Sequence, residues 1–146
     1  MIRKINAKDK RAYLKMSDDF YSSNAVLVKT KAYNASKTFE LLMKESSYVT
    51  GYFYEVNNII TGYMLLTFRY SNEIGGFYVH IDELYVKPEF QSLGIGSKMI
   101  DFVNKEYATN NNNRIMLEVN EENVDAIRLY EKRGFDDAGY RFMIKD

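Results

Sequence analysis

A mixed α/β sheet with helices on both faces is the fold class that the sequence predicts, and three observations carry it. Apolar positions recur at helical spacing in two stretches near the N-terminus and two more in the second half. Aromatic and β-branched residues fill three successive runs, 48–56, 59–70 and 77–86, with turn residues between them. A strand then leads through a glycine turn directly into a helix, which is the connection of an α/β unit. The predicted order is strand, helix, helix, three strands, helix, strand, helix, strand, in a mixed (α+β) sheet.

The elements follow in order. Met1–Ile5 alternates apolar and basic, as a half-buried strand does. From Ala7 to about Tyr21 the residues Ala12, Tyr13, Met16 and Phe20 form one helical stripe, stopped by Ser22-Ser23-Asn24. Asn34 or Ser36 is expected to cap a second helix through Phe39, Leu41, Leu42 and Met43, ending near Ser46-Ser47. Tyr48–Val56 and Ile59–Tyr70 read as antiparallel neighbours because Asn57-Asn58 tolerates the positive φ of a two-residue hairpin. Phe77–Val86 is the next strand, closed by Pro88, and a helix is expected from about Gly94 to Tyr107 on the stripe Ile95, Met99, Phe102, Val103. Thr109–Asn113 is a solvated connector, Arg114–Val119 a strand, Glu121–Arg133 a helix with Gly134 as its C-cap, and Gly139–Lys145 a final strand.

Composition narrows the function classes. At 146 residues the chain fits one ordinary domain, 1–146, and 46% apolar with 27% charged residues is the balance of a globular protein rather than a disordered or membrane-spanning one. Twenty acidic against twenty basic residues leave no global field to draw the chain onto nucleic acid or an anionic membrane, so any anion site must be local. The absence of cysteine removes thiolate nucleophiles, disulfides and thiolate metal sites, and no metal is expected. The first residues contain no apolar stretch of signal-peptide length, which makes a cytoplasmic location the expectation.

The chemistry concentrates in Gln91-Ser92-Leu93-Gly94-Ile95-Gly96-Ser97. Two glycines at a helix start let backbone approach a bulky anion, and the new helix aims its unpaired N–H groups and positive dipole end at it. The P-loop spacing is missing, and Met99 stands where the dinucleotide fingerprint needs its third glycine. In the preceding strand Val79 and Ile81 hold one parity and Leu84 and Val86 the other, which requires an extra residue near Asp82-Glu83. A β-bulge there turns all four toward the core and frees backbone groups for a ligand. On the later helix Asn123, Ile127 and Tyr130 share a face, since seven residues make nearly two turns; Asn123 also fits a helix cap and Tyr130 a core aromatic.

Gln91, Gly94 and Gly96 match the signature of the GNAT superfamily of N-acetyltransferases: arginine or glutamine, two residues, glycine, one residue, glycine or alanine. The flanking text, Ile81 to Phe90 before it and Asn123–Ala126 with Leu129 to Phe135 after it, is similar too, so the chain resembles that superfamily over about 76–135. The resemblance implies the acyl-CoA N-acyltransferase fold with a bulged fourth strand, acetyl-CoA as co-substrate, and acetyl transfer to a primary amine of a small molecule or peptide by direct attack in a ternary complex. It implies that the backbone of Leu84, Tyr85 and Val86 pairs with the pantetheine arm, that the amides of Gln91, Ser92, Leu93, Gly94, Ile95, Gly96 and Ser97 hold the pyrophosphate, and that Asn123 bonds the arm.

Chemistry then asks for an acid and a base, because the amine must lose a proton and the departing thiolate gains from receiving one. Tyr130 is the expected acid and Glu83 the expected base acting through water, with Asp82, His80 or a water chain as alternatives for the base. An N–H of Tyr85 or Val86 is expected at the oxyanion. Lys98 and Arg133 are candidates for cofactor phosphates or for solvated surface. The acceptor pocket is expected around Tyr21–Tyr33 and Tyr70–Gly76, with Asp18, Asp19 and Glu73 as candidates to attract a cationic amine. A non-catalytic acyl-CoA-binding module and a nucleotide-binding regulatory domain are the competing classes. Only eleven residues follow Phe135, so either Gly139–Lys145 closes the sheet or a second subunit covers an exposed edge, giving a homodimer.

Overall fold

The computed structural model describes residues 1–27, 32–108 and 112–146, with the side chains of 32 and 33 set aside. Residues 109–111 of the connector Thr109–Asn113 and residues 28–31 of the Tyr21–Tyr33 region lie outside the described residues. Five strands form one sheet in sequential order: β1 (Ile2–Lys4), β2 (Val49–Val56), β3 (Ile59–Ser71), β4 (Gly76–Val86) and β5 (Arg114–Leu117). The first four pair antiparallel, whereas β5 runs parallel to β4, so the sheet is mixed as the element order requires. Asn57 and Asn58 both take positive φ, 50° and 63°, and close the β2–β3 hairpin.

Helices α1 (Lys10–Tyr21) and α2 (Ala32–Met43) cover one face; α3 (Ile95–Val103) and α4 (Val124–Lys132) lie on the other. Alternation along the strands divides the core accordingly. Phe53, Tyr63 and Leu65 point toward Tyr13, Met16, Phe20 and Phe39 of α1 and α2, while Met64, Leu66, Val79 and Ile81 point toward Ile95, Met99, Ile100 and Val103 of α3. Arg3 ties the N-terminal elements together: its guanidinium donates to both Asp9 carboxylate oxygens, at 2.7 and 3.0 Å, and to Glu55 Oε1 at 2.8 Å. Burial alone would raise the Asp9 carboxyl, but Arg3 and the Asn6 amide hold it below its ordinary value.

Several expectations need correction. The first helix begins as a 3-10 turn at Ala7–Asp9, capped by the side chain of Asn6, because Asp9 turns back to accept from the Asn6 amide. Asn34 and Ser36 lie inside α2, which among the described residues already starts at Ala32, so neither stands at its N-cap position. The last helix starts at Val124 rather than Glu121, with Asn123 as its N-cap. The largest difference is at the end of the chain: Gly139–Lys145 joins no strand, and Tyr140, Phe142, Met143 and Ile144 are exposed. A strand needs a ladder partner as well as alternation, and β5 is only four residues long.

Candidate active site

The bulge is present and has a consequence for charge. Leu65 pairs with Glu83 and Leu66 with Ile81, leaving Asp82 as the extra residue. Val79, Ile81, Leu84 and Val86 consequently all join the cluster on the α3 face. The same insertion turns two consecutive acidic side chains, Asp82 and Glu83, onto the α1/α2 face, where both line a cavity of about 330 Å³. Tyr13, Tyr21, Thr38 and Tyr48 contribute to its walls, and none of its described lining residues is basic.

Glu83 is 6% exposed at this cavity. The Tyr21 hydroxyl donates to its Oε1 and the Tyr63 hydroxyl to its Oε2, the latter at 2.7 Å. Burial pushes the Glu83 carboxyl above its ordinary value and the Asp82 charge adds to that, while the two tyrosine hydroxyls pull the other way. Both phenols are pushed up in turn, first by burial and then by the carboxylate, so they stay protonated donors. Tyr63, on a neighbouring strand, and Tyr21, 62 positions away in sequence, formed no part of the residue-level expectation for Glu83. No local spacing connects them to it, although Tyr21 bounds the segment in which the acceptor pocket was expected.

On its other edge β4 opens into a notch. Pairing with β5 ends at Ile81 opposite Leu117, so Asp82–Val86 have no strand neighbour on that side among the described residues. The Gln91 side-chain amide donates to the Val86 carbonyl at 2.9 Å, which shows that the Val86 backbone groups face away from β3. Strand parity puts Leu84 with Val86 and turns the Tyr85 backbone toward β3. Leu84 and Val86 therefore face the notch, and the Tyr85 amide does not. The Gln91 backbone N–H also bonds the Pro88 carbonyl at 3.2 Å, and the two bonds together fix the turn.

That turn carries two left-handed residues, Ser92 at φ 62° and Gly94 at φ 76°, immediately before α3. Alternating backbone of this kind gathers N–H groups into an anion-binding concavity, continued by the unpaired first-turn amides of the helix. A Cβ on Gly94 would meet nothing within 4 Å, whereas one on Gly96 would lie 3.1 Å from Leu129 Cδ2. Gly94 supplies the backbone conformation on an open front; Gly96 lets α4 approach α3.

The remaining expected residues disperse. The Asn123 side chain accepts from the Ala126 amide at 3.3 Å and caps α4. Tyr130 is half-buried in the α3-face cluster, its ring 5.9 Å from that of Phe135, and burial raises its hydroxyl pKa. It and Glu83 thus lie on opposite faces of the sheet and can serve one reaction only across the notch. His80 is outside the cavity lining, 3.3 Å from Thr67 and 3.8 Å from Glu118. Asp19 pairs with Lys15, Glu73 accepts from Tyr140, and Arg133 pairs with Asp101 at 3.3 Å, so these charges serve other contacts. No group of metal-ligating side chains forms among the described residues, and no described helix is long and apolar enough to cross a membrane.

The chain is 30% identical over 125 residues to thialysine N-ε-acetyltransferase of Sus scrofa, covering 86% of this chain and 71% of that protein. It is 35% identical over 78 residues to the enzyme of the same name from Bos taurus, spanning 53% of this chain and less than half, 45%, of the bovine protein. Its fold is that of a possible acetyltransferase from Clostridium difficile 630, with TM-score 0.86 at 18% identity over 100% of this chain and 96% of the other. A predicted acetyltransferase from Clostridium acetobutylicum, solved with acetyl-CoA, shares it with TM-score 0.78 at 19% identity, over 99% and 95% of the two chains. The model of the acetyltransferase (GNAT) family matches residues 13–135, and with the signature at Gln91, Gly94 and Gly96 the chain belongs to that family.

Proposed function

We propose that this chain is a single N-acetyltransferase domain that transfers the acetyl group of acetyl-CoA to a primary amine of a small molecule or peptide, by direct attack in a ternary complex. The observation that carries this reading is the junction of three features along β4. A notch faced by the Leu84 backbone and the Val86 N–H, with the Val86 carbonyl held by Gln91, adjoins a left-handed turn at Ser92–Gly94, and a buried carboxylate faces the opposite cavity. The open front of Gly94 fits a pyrophosphate, held by the amides from Ser92 to Ser97. Leu84 and Val86 would pair with the pantetheine arm; the amide nitrogen of Asn123, whose oxygen is the cap, is left to bond it.

When bound, acetyl-CoA supplies an acetyl group activated as a thioester. The chain's own residues then manage protons. Glu83, raised by burial, is matched to draw the proton from an ammonium through water. Tyr21 and Tyr63 hold its carboxylate in place. Burial keeps the Tyr130 hydroxyl protonated, so that it remains a donor to the leaving sulfur. The N–H of Val86, directed into the notch, is the backbone donor placed for the oxyanion. The cavity holds two carboxylates and tyrosine rings with no described basic residue, which favours acceptors that are cationic around the reacting amine. The relatives' substrate, an ε-amine by their name, is of this kind.

The test is steady-state kinetics with CoA release as the readout, over a panel of polyamines, aminoglycosides, amino acids and peptide amines. With the best acceptor, Tyr130→Phe is expected to lower kcat by about 100-fold while acetyl-CoA binding is kept. A variant with wild-type kcat across pH and normal binding contradicts the acid role, and failure of the chain to bind acetyl-CoA contradicts the whole reading.

A further inference from the structure

The cavity at Glu83 has two ends of unlike chemistry. Its charge is confined to β4, where the bulge sets Asp82 and Glu83 side by side. Away from β4 the walls turn apolar: Val49 and Leu65 come from the sheet, Ala35 and Leu41 from α2, and Tyr48 from the turn that leads into β2. Ala35, Val49 and Leu65 are buried, but Leu41 is 43% and Tyr48 75% exposed. Thr38 stands between Ala35 and Leu41 on α2 and spends its hydroxyl proton on the Asn34 carbonyl at 3.1 Å. The Tyr48 amide bonds Ser46 Oγ at 3.2 Å, which holds the backbone of that turn. Large apolar side chains left open at the mouth of a cavity are surface for a ligand to cover.

Register gives the separation of the two ends. Leu65 pairs with Glu83 on one side and with Gly51 on the other, and Thr67 pairs with Val49, so Tyr48 lies across β3 from the carboxylates. Two strand spacings, roughly 10 Å, separate β4 from β2. An amine held at Glu83 therefore sends the rest of its molecule across β3 toward Leu41 and Tyr48. A second cation carried that far meets no carboxylate, because both acidic residues among the described lining belong to β4. An apolar stem instead covers Val49, Leu41 and the Tyr48 ring, and each buried methylene strengthens binding.

We propose that the acceptor is a monoamine on an unbranched apolar stem of roughly 10 Å, its amine at Glu83, its far end against Leu41 and Tyr48, and that Tyr48 sets the preference for the stem. This rests on the acetyl-transfer reading and narrows its substrate class. It also divides labour in the cavity. The carboxylates of β4 select the amine, and the apolar mouth between α2 and β2 selects what the amine is attached to.

The experiment compares propylamine, hexylamine and the straight-chain six-carbon diamine as acceptors, by CoA release and by calorimetric titration into the enzyme loaded with CoA. Hexylamine is expected to exceed propylamine about tenfold in kcat/KM and in affinity, because three more methylenes are partly buried. It is expected to exceed the diamine by a similar factor, since the diamine brings a second ammonium to an apolar surface. Equal values for the two monoamines, a preferred diamine, or no measurable binding of hexylamine overturns the proposal. Tyr48→Ser is expected to raise KM for hexylamine about fivefold with little change in kcat, whereas Tyr48→Phe keeps the preference. Far-UV CD should be unchanged in both, because the ring is exposed. Full hexylamine preference in Tyr48→Ser also overturns the proposal. The two readings fail separately. Tighter binding of hexylamine than of propylamine without any turnover sinks acetyl transfer and leaves the subsite standing; turnover of other amines with no gain from stem length sinks the subsite and leaves acetyl transfer standing.

Discussion

The part of the chain up to Val103 and the part beyond it are built differently. Among the described residues every buried one lies at or before Val103, including side chains such as Phe53, Tyr63, Met64, Leu66 and Met99 that water hardly touches. Beyond it, β5 and α4 hold only partly covered side chains, and the last residues lie exposed. The first part is a closed core with helices on both faces, so its strand registers are fixed by burial. The second part is held by a four-residue parallel pairing and the approach of α4 to α3 at Gly96. The candidate active site lies along the seam, where β4 leaves β5. A ligand can reach backbone groups there because the second part does not close over the first.

The largest effect that tests this contrast is in the core. Leu66→Ala should cost about 3 kcal/mol in urea unfolding and Leu129→Ala about 1 kcal/mol, because only the first leaves a cavity among fully buried neighbours. Equal losses would break the comparison. Arg3→Ala should cost about 2 kcal/mol, below the range for a fully buried pair because Arg3 is partly exposed. Asp9 is held below its ordinary value, so its contribution is present above the ordinary carboxylate range and is lost as pH falls through the lowered value. Acid titration of stability in Arg3→Ala should show that component missing.

At the seam, Glu83→Gln should lower kcat by about 10-fold. The wild-type rate should fall with decreasing pH above the ordinary carboxylate range, since burial raises this group, and the substitution should flatten that limb. The stability sign is opposite to that of Asp9: a raised carboxyl favours the fold below its unfolded pKa, and this is lost as pH rises through the folded value. Glu83→Gln should therefore be at least as stable as wild type at pH 8 by thermal unfolding. The smallest effect is at the turn, where Gly94→Ala forces a side chain into the left-handed region at about 1 kcal/mol. It should raise KM for acetyl-CoA about five-fold with kcat unchanged, and an unchanged KM would remove the turn from the cofactor site.

Much of this was legible in the residues because it is local. The parity slip between Val79–Ile81 and Leu84–Val86 located the bulge, since a period of two admits no other way to turn both pairs inward. The glycine turn and the Asn57-Asn58 hairpin were legible through the φ they demand. The clamp of Tyr21 and Tyr63 on Glu83 was not, because α1, β3 and β4 bring those hydroxyls together only after the sheet forms. The internal contacts of Gln91 and Gly96 were not legible either: one holds the Val86 carbonyl and the other lies beside Leu129. Both assignments depend on a neighbour that spacing alone does not name.

By itself the sequence determined the order and type of the elements from β1 to α4, where β4 slips by one residue and where a helix begins at a left-handed turn, because backbone sterics and apolar period act over a few residues. Tertiary structure alone decided that the slip turns Asp82 and Glu83 together into a cavity, that two distant tyrosines hold one of them, and that Gly139–Lys145 stays unpaired. Those outcomes depend on which surfaces meet across the sheet, and a strand pattern becomes a strand only where another edge is in reach to bond it.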